Sequence, residues 1–256
     1  MKTFLAFLKK EGLEQLRTGR LLVLLIVFLL FGIMNPAIAK LTPWMLQTLS
    51  GSIAESGILI TNVTVDALTS WTQFYKNLPI ALLIFVLMTA GAFTAEYQKG
   101  TLVPVLTKGL SRIKVLLAKA LTLGMLWTAC YVLCYLVTFG YTAYFWDQGI
   151  ARHVAFAAGL YWLFGIWVIS VMVLFSSFSS GSTGVLLGTG GAVLAAWLLS
   201  LPPGFGPYLP LYLTNGMALL TGTLTARATA GAAAVAAGLA AANGVIAALA
   251  FQKRSI

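Results

Sequence analysis

Charged side chains are scarce in this sequence: they make up 9% of 256 residues, with six Asp and Glu, sixteen Lys and Arg and one histidine. A soluble domain keeps about a quarter of its residues charged, so a free-standing globular fold is the first class excluded. Cysteine is equally sparse. Cys130 and Cys134 fall inside one apolar run, four residues apart, so there is no disulfide framework to read. No His or carboxylate accompanies them, and they read as small packing residues rather than metal ligands; no metal is expected. The lone His153 stands beside a loop, as a surface imidazole. His-Glu-x-x-His spacing and a Gly-x-Ser-x-Gly elbow are both missing, so nothing looks catalytic. The phosphate-cradling Gly-x-x-x-x-Gly-Lys-[Ser/Thr] loop is absent from all 256 residues, which therefore bind no ATP in that way.

What fills the chain instead is hydrocarbon. Hydrophobic residues make up 60% and the mean hydropathy is +0.94, values that belong to a polytopic membrane protein. We expect an all-α fold, a single transmembrane domain over residues 1–256. Six spans are predicted, at about 21–39, 78–95, 115–141, 154–175, 185–201 and 230–251. Residues 3–18 place Phe4, Leu5, Leu8 and Leu16 at helical spacing, with Lys9, Lys10, Glu14 and Arg17 on other sides. That pattern predicts an amphipathic helix in the headgroup region. Between the first two spans, Thr42-Pro43 has the chemistry of a helix start, and Leu68, Trp71 and Tyr75 recur at helical spacing; two short helices on the outer leaflet are expected there. The run LPPGFGPYLP at 201–210 cannot continue a helix, which predicts a broken or re-entrant segment before the sixth span.

The positions of the cations set an orientation. With six crossings, twelve of the sixteen Lys and Arg fall on the side holding both termini and residues 96–119, and Lys40, Lys76, Arg152 and Arg227 fall on the other. The positive-inside rule makes the first side cytoplasmic, in a multi-pass protein of the cell membrane. Every Asp, Glu, Lys and Arg lies in a loop or near a span end. Intramembrane charge marks proton relays and pathways, so its lack argues against an ion-coupled secondary transporter and an intramembrane protease. Small residues recur at fours along the fifth span (Gly184, Gly188, Ala192, Ala196) and in the sixth (Gly238, Ala242); such faces let helices approach, within the bundle or between two copies.

The long polar interruption EYQKGTLVPVLTKGLSRIKVLLAK, residues 96–119, is the one stretch that asks for a partner. Gly100 lets the chain turn out of the second span, and Thr101 caps a short helix whose first turn holds Leu102, Val103 and Pro104. That helix exposes Leu102, Val103 and Leu106 between Lys99 and Lys108, Gly109 ends it, and Ser111 caps the third span. An apolar knob with a basic rim suits either docking of a soluble partner or an amphipathic loop resting on lipid.

Glu96, Gly100-Thr101-Leu102, Ser111-Arg112 and Lys119 together resemble the E-x-x-x-G-T-L … S-R-x-x-x-x-x-x-K pattern of the membrane subunits of ABC type 2 transporters, and the expected architecture resembles that family along its whole length. The resemblance implies an ATP-driven permease, an exporter of a hydrophobic, peptide or drug-like substrate. It implies that segment 96–114 is the ATPase-coupling element, with Glu96 at its membrane edge and Gly100 to Leu106 in the groove of a cytoplasmic ATPase subunit. ATP and Mg would then sit on that partner, with no cofactor in this chain, and two ATPases would imply a second permease copy, identical or not. The large outer domain of some family members has no counterpart in the 38 residues between the first two spans. A non-transporting membrane scaffold anchoring a cytoplasmic partner is the reading from another class; nucleic acid is not an expected partner.

Overall fold

The computed structural model describes residues 2–54, 65–100, 110–202 and 204–253. Over these residues the fold is all-helical. An N-terminal helix, α1 (Lys2–Arg17), turns at Gly19, which adopts a left-handed φ of 71°, into α2 (Arg20–Ala54). Helices α3 (Ala67–Thr89) and α4 (Gly91–Lys99) are separated only by Ala90, and are followed by α5 (Arg112–Phe145), α6 (Val154–Phe178) and α7 (Ser182–Ser200). Short 3-10 turns and α8 (Gly216–Leu220) lead to α9 (Ala230–Lys253). Six segments are long and apolar enough to cross a membrane: Arg20–Met45, Ala67–Glu96, Arg112–Phe145, Val154–Phe178, Ser182–Ser200 and Ala226–Lys253.

The segment after the first span differs from expectation. Thr42-Pro43 does not start a helix; α2 runs on through Pro36 and Pro43 to Ala54, and the Thr42 hydroxyl donates back to Ile38 O as helix-interior threonines do. Proline is tolerated in such a helix when a neighbour serves the carbonyl it strands. Pro36 strands Gly32 O, and Thr138 Oγ1 of α5 donates to it at 3.1 Å. Asn35 Nδ2 in turn donates to Thr138 Oγ1 (3.1 Å) and Asn77 Nδ2 to Asn35 Oδ1 (2.8 Å), which ties α3 into the same chain of bonds. Thr138→Val keeps the shape and removes the hydroxyl. We expect a loss of about 1 kcal/mol, the scale of polar contacts between membrane helices, read as a small drop in the unfolding midpoint in detergent. The second expected surface helix is instead the start of α3, where Asp66 and Thr69 form a reciprocal capping box (Thr69 N to Asp66 Oδ1, 2.9 Å).

The core is aromatic. Trp127 is fully buried between the edges of Phe28 and Phe85, and its Nε1 donates to Trp162 O at 3.2 Å. Trp71, Phe74, Tyr75, Tyr131 and Tyr161 continue the stack across α3, α5 and α6, with Tyr131 donating to Ala158 O at 2.7 Å. Gly165 and Gly216 leave room for this stack, since a methyl group on either would overlap Trp127 or Tyr75. The broken segment before α9 packs inward through Pro210, Leu213, Leu219 and Leu220, and Leu220 O accepts the backbone N–H of Arg152.

Candidate functional site

The N-terminal helix meets the bundle through a stripe that hydropathy alone does not pick out. Phe7, Glu11 and Gln15 recur at fours and are buried, whereas Leu5 and Leu16 are more than half exposed. Burying a carboxylate in this position requires a cation, and α5 supplies it. Lys119 Nζ donates to Glu11 Oε2 at 2.8 Å and to Ala92 O at 3.3 Å, and lies 3.0 Å from Glu96 Oε2. That last contact is an ion pair without hydrogen-bond alignment. The side chains of Lys119 and Glu11 are each only 3% exposed. Lys10 closes the cluster from the solvent side, at 3.0 Å from Glu96 Oε1, 3.1 Å from Glu11 Oε1 and 2.8 Å from Glu14 Oε2.

Three carboxylates, Glu11, Glu14 and Glu96, thus converge with oxygens within 4.8 Å of one another. Bare, they would suit a divalent cation. Here the two ammonium groups already lie among them, and the chemistry of the set is that of an ionic joint. Partial burial disfavours the Glu14 carboxylate, but the hydrogen bond from Lys10 and the charges of Lys10, Lys119 and Arg20 outweigh it and hold its pKa below the usual range. Burial likewise works against the Lys10 charge; the bond to Glu14 and the charges of Glu11 and Glu96 prevail and raise its pKa.

These shifts carry a sign. A carboxylate whose pKa is lower folded than unfolded stabilises the fold in full above its unfolded value of 4.5, and that contribution vanishes as pH falls through the folded value. Glu14→Gln should therefore unfold more easily than the native chain at neutral pH. The two unfolding midpoints should converge as the pH is taken down through the range below 4.5.

The joint gathers the flanks of residues 96–119. Gly100 follows α4 with a left-handed φ of 64°, the conformation that favours glycine after a helix end. Gln98 Nε2 reaches Ser180 O (3.3 Å) in the link between α6 and α7, and Arg112 Nη1 reaches Gln252 O (3.2 Å) at the end of α9. Ser111 occupies the N-cap of α5, although its side chain makes no capping bond. Thr101, Leu102, Val103, Leu106 and Lys108, together with Thr107 and Gly109, lie outside the described residues, as does the side chain of Lys99. Of the helix-packing set, Gly188 lies against Phe175, Gly184 against Ser179, and Ala192 packs on the core. Gly238 and Ala242 are exposed, and a methyl group on Gly238 would meet nothing.

A second feature lies between α3, α6 and α7. It is an apolar groove of about 550 Å³ with Leu83, Val86, Phe164, Val193 and Tyr161 in its wall. The Tyr161 hydroxyl is buried and has no hydrogen-bond partner among the described residues.

The sequence model of the ABC-2 family transporter proteins matches residues 5–229. This chain belongs to the ABC-2 transporter family. An ABC-2 transporter's membrane component is a multi-pass subunit without an ATPase domain of its own, typically binds no cofactor, and implies an ATPase partner. A similar protein is the uncharacterized transmembrane protein YxlG of Bacillus subtilis (strain 168), 22% identical over 214 residues, which cover 82% of this chain and 81% of that protein. The ABC-2 match spans α1 to the last turn before α9, so it includes Lys10, Glu11, Glu14, Glu96 and Lys119. Sequence reasoning missed Lys10, Glu11 and Glu14 as members of the site. The available signal was the buried-type spacing Phe7, Glu11, Gln15, a carboxylate in the middle of an otherwise core-facing stripe.

Proposed function

We propose that this ABC-2 subunit forms the path of an ATP-driven exporter and receives work through residues 96–114, which dock on a cytoplasmic ATPase subunit. Both termini are cytoplasmic in this reading, and two copies of the chain, or this chain and a related one, assemble with two ATPases. The observation that carries it is the joint itself. Lys119 and Glu96 bracket the docking segment, and both are ion-paired into α1, so a push on that segment is applied to the N-terminal helix and to the second and third spans together. Transmission of this kind needs two states with different contacts, and a cluster of five charged groups at one helix junction is well suited to repartner between them. The twelve-to-four division of cations supports the orientation. For the substrate, the apolar lining of the groove favours a neutral, largely hydrophobic molecule.

The test is copurification of the ATPase followed by ATP-dependent transport in membrane vesicles. Leu102→Asp combined with Leu106→Asp should abolish both, while the variant subunit still inserts in the membrane. Unchanged assembly and transport would place the docking surface elsewhere. Assembly without any substrate movement in the native complex would make the chain a scaffold, and transport that collapses with the proton gradient and needs no ATPase would make it ion-coupled.

A further inference from the structure

A groove larger than the one assigned to transport is present on the described surface. It lies on the other flank of the subunit, between α5, α6 and α9, with a volume of about 710 Å³. Volumes of about 300–1,000 Å³ are those of small-molecule sites. Along α5 its wall runs from Leu117 to Val132, about 22 Å of helix at 1.5 Å per residue. That exceeds the roughly 15 Å that one leaflet contributes to a hydrocarbon core of about 30 Å.

The polar groups in this wall are already used. Trp162 Nε1 donates to Thr128 Oγ1 (3.0 Å), Thr128 Oγ1 to Gly124 O (2.8 Å) and Ser170 Oγ to Trp167 O (2.6 Å). An occupant therefore finds no free donor in these groups and must be apolar where it touches them. The space is open to it, because a methyl group added at Gly124 or Gly244 would meet no atom within 4 Å.

Charge identifies which apolar molecule fits. Lys114 lies one turn before Leu117 on the same stripe of α5 (114, 117, 121, 125, 128, 132), and it is exposed. The exposed Lys253 closes α9 at that end, where Arg112 joins the two helices. Lys114 thus sets a cation at one end of the stripe that walls the groove, and the lining itself is predominantly apolar. A long apolar slot with a cation at one end is complementary to an acyl chain carrying an anionic headgroup.

We infer that this groove is a binding site for an anionic phospholipid of the surrounding leaflet, its acyl chain along α5 and its phosphate at Lys114. The site is separate from the groove of Tyr161, and its test requires neither an ATPase nor transport. Detergent-purified native chain is incubated with phosphatidylglycerol or with phosphatidylcholine of the same acyl chains, and retained lipid is counted by native mass spectrometry. The native chain should retain phosphatidylglycerol in preference. Lys114→Gln should lower that retention about fivefold, the weight of one cation beside an anionic lipid, and leave phosphatidylcholine unchanged. Gly124→Leu combined with Gly244→Leu should lower retention of both lipids while the melting temperature holds or rises, since leucine favours helix over glycine. Retention unchanged by either variant would reduce the groove to ordinary annular lipid and overturn the assignment. A native dimer that the leucine variant converts to monomer would overturn it as well, giving the face to a second copy of the chain.

Discussion

Lys119→Ala should lower the stability of the folded subunit by about 3–5 kcal/mol, the cost of breaking a buried ion pair and leaving its partner charged. The size follows from what remains. Glu11 is 3% exposed, and without Lys119 its Oε2 and Glu96 Oε2 are left as buried oxygens near each other, with Lys10 reaching only the opposite oxygens. For a chain of this length such a loss shifts the unfolding midpoint by on the order of 10 °C, readable from tryptophan fluorescence in detergent. Glu11→Leu combined with Lys119→Met removes both charges and should recover much of the loss, because a buried pair replaced by apolar groups is often neutral. A Lys119→Ala chain melting with the native one would mean that the joint is wet, and that α1 is held by its apolar contacts alone.

Gly165→Ala should be a strongly damaging single-methyl change, costing about 1–3 kcal/mol or more. The added carbon would overlap the indole of Trp127, which has nowhere to go. Its ring is wedged between Phe28 and Phe85, and its N–H is committed to Trp162 O. The same substitution at Gly124, where no atom lies within 4 Å, should stabilise the chain by up to about 1 kcal/mol through helix propensity alone. Thermal unfolding of the two variants side by side should give shifts of opposite sign.

The six spans were legible because a bilayer core demands about 20 apolar residues in a row and hydropathy reports that directly. The broken stretch near residues 201–210 was legible from its prolines. Pro43 misled for the same reason: proline announces a missing N–H, yet a membrane helix runs on through it where the stranded carbonyl is served. At Pro36 the group that serves it is Thr138, 106 positions from Gly32, which no local pattern reveals. The site shows the same division. Glu96 and Lys119 stood out as family-like residues, yet their link runs through Glu11, 108 positions before Lys119, in a helix whose charges looked merely solvated. The spacing of Phe4, Leu5, Leu8 and Leu16 shows the apolar side of an interfacial helix but not the stripe Phe7, Glu11 and Gln15 by which the bundle takes it up. A one-dimensional pattern shows that a helix has faces; it does not show which face the protein takes and which it leaves to lipid.

The bond from Thr138 to Gly32 O has a mechanical side. Gly32 approaches α5 so closely that a methyl there would lie 3.0 Å from Val137 Cβ and 3.1 Å from Cys134 O. A slip of α2 along α5 by one turn, about 5.4 Å, would strand the Gly32 carbonyl and the Asn35 amide in hydrocarbon and drive side chains into that contact. The first and third spans are therefore geared together, with α3 locked to them through Asn77. The seventh helix is gripped less: among the described residues it buries only Val185, Thr189 and Ala196. If the subunit changes shape during a cycle, α2, α3 and α5 travel as a chassis, and the play in the machine lies at α7.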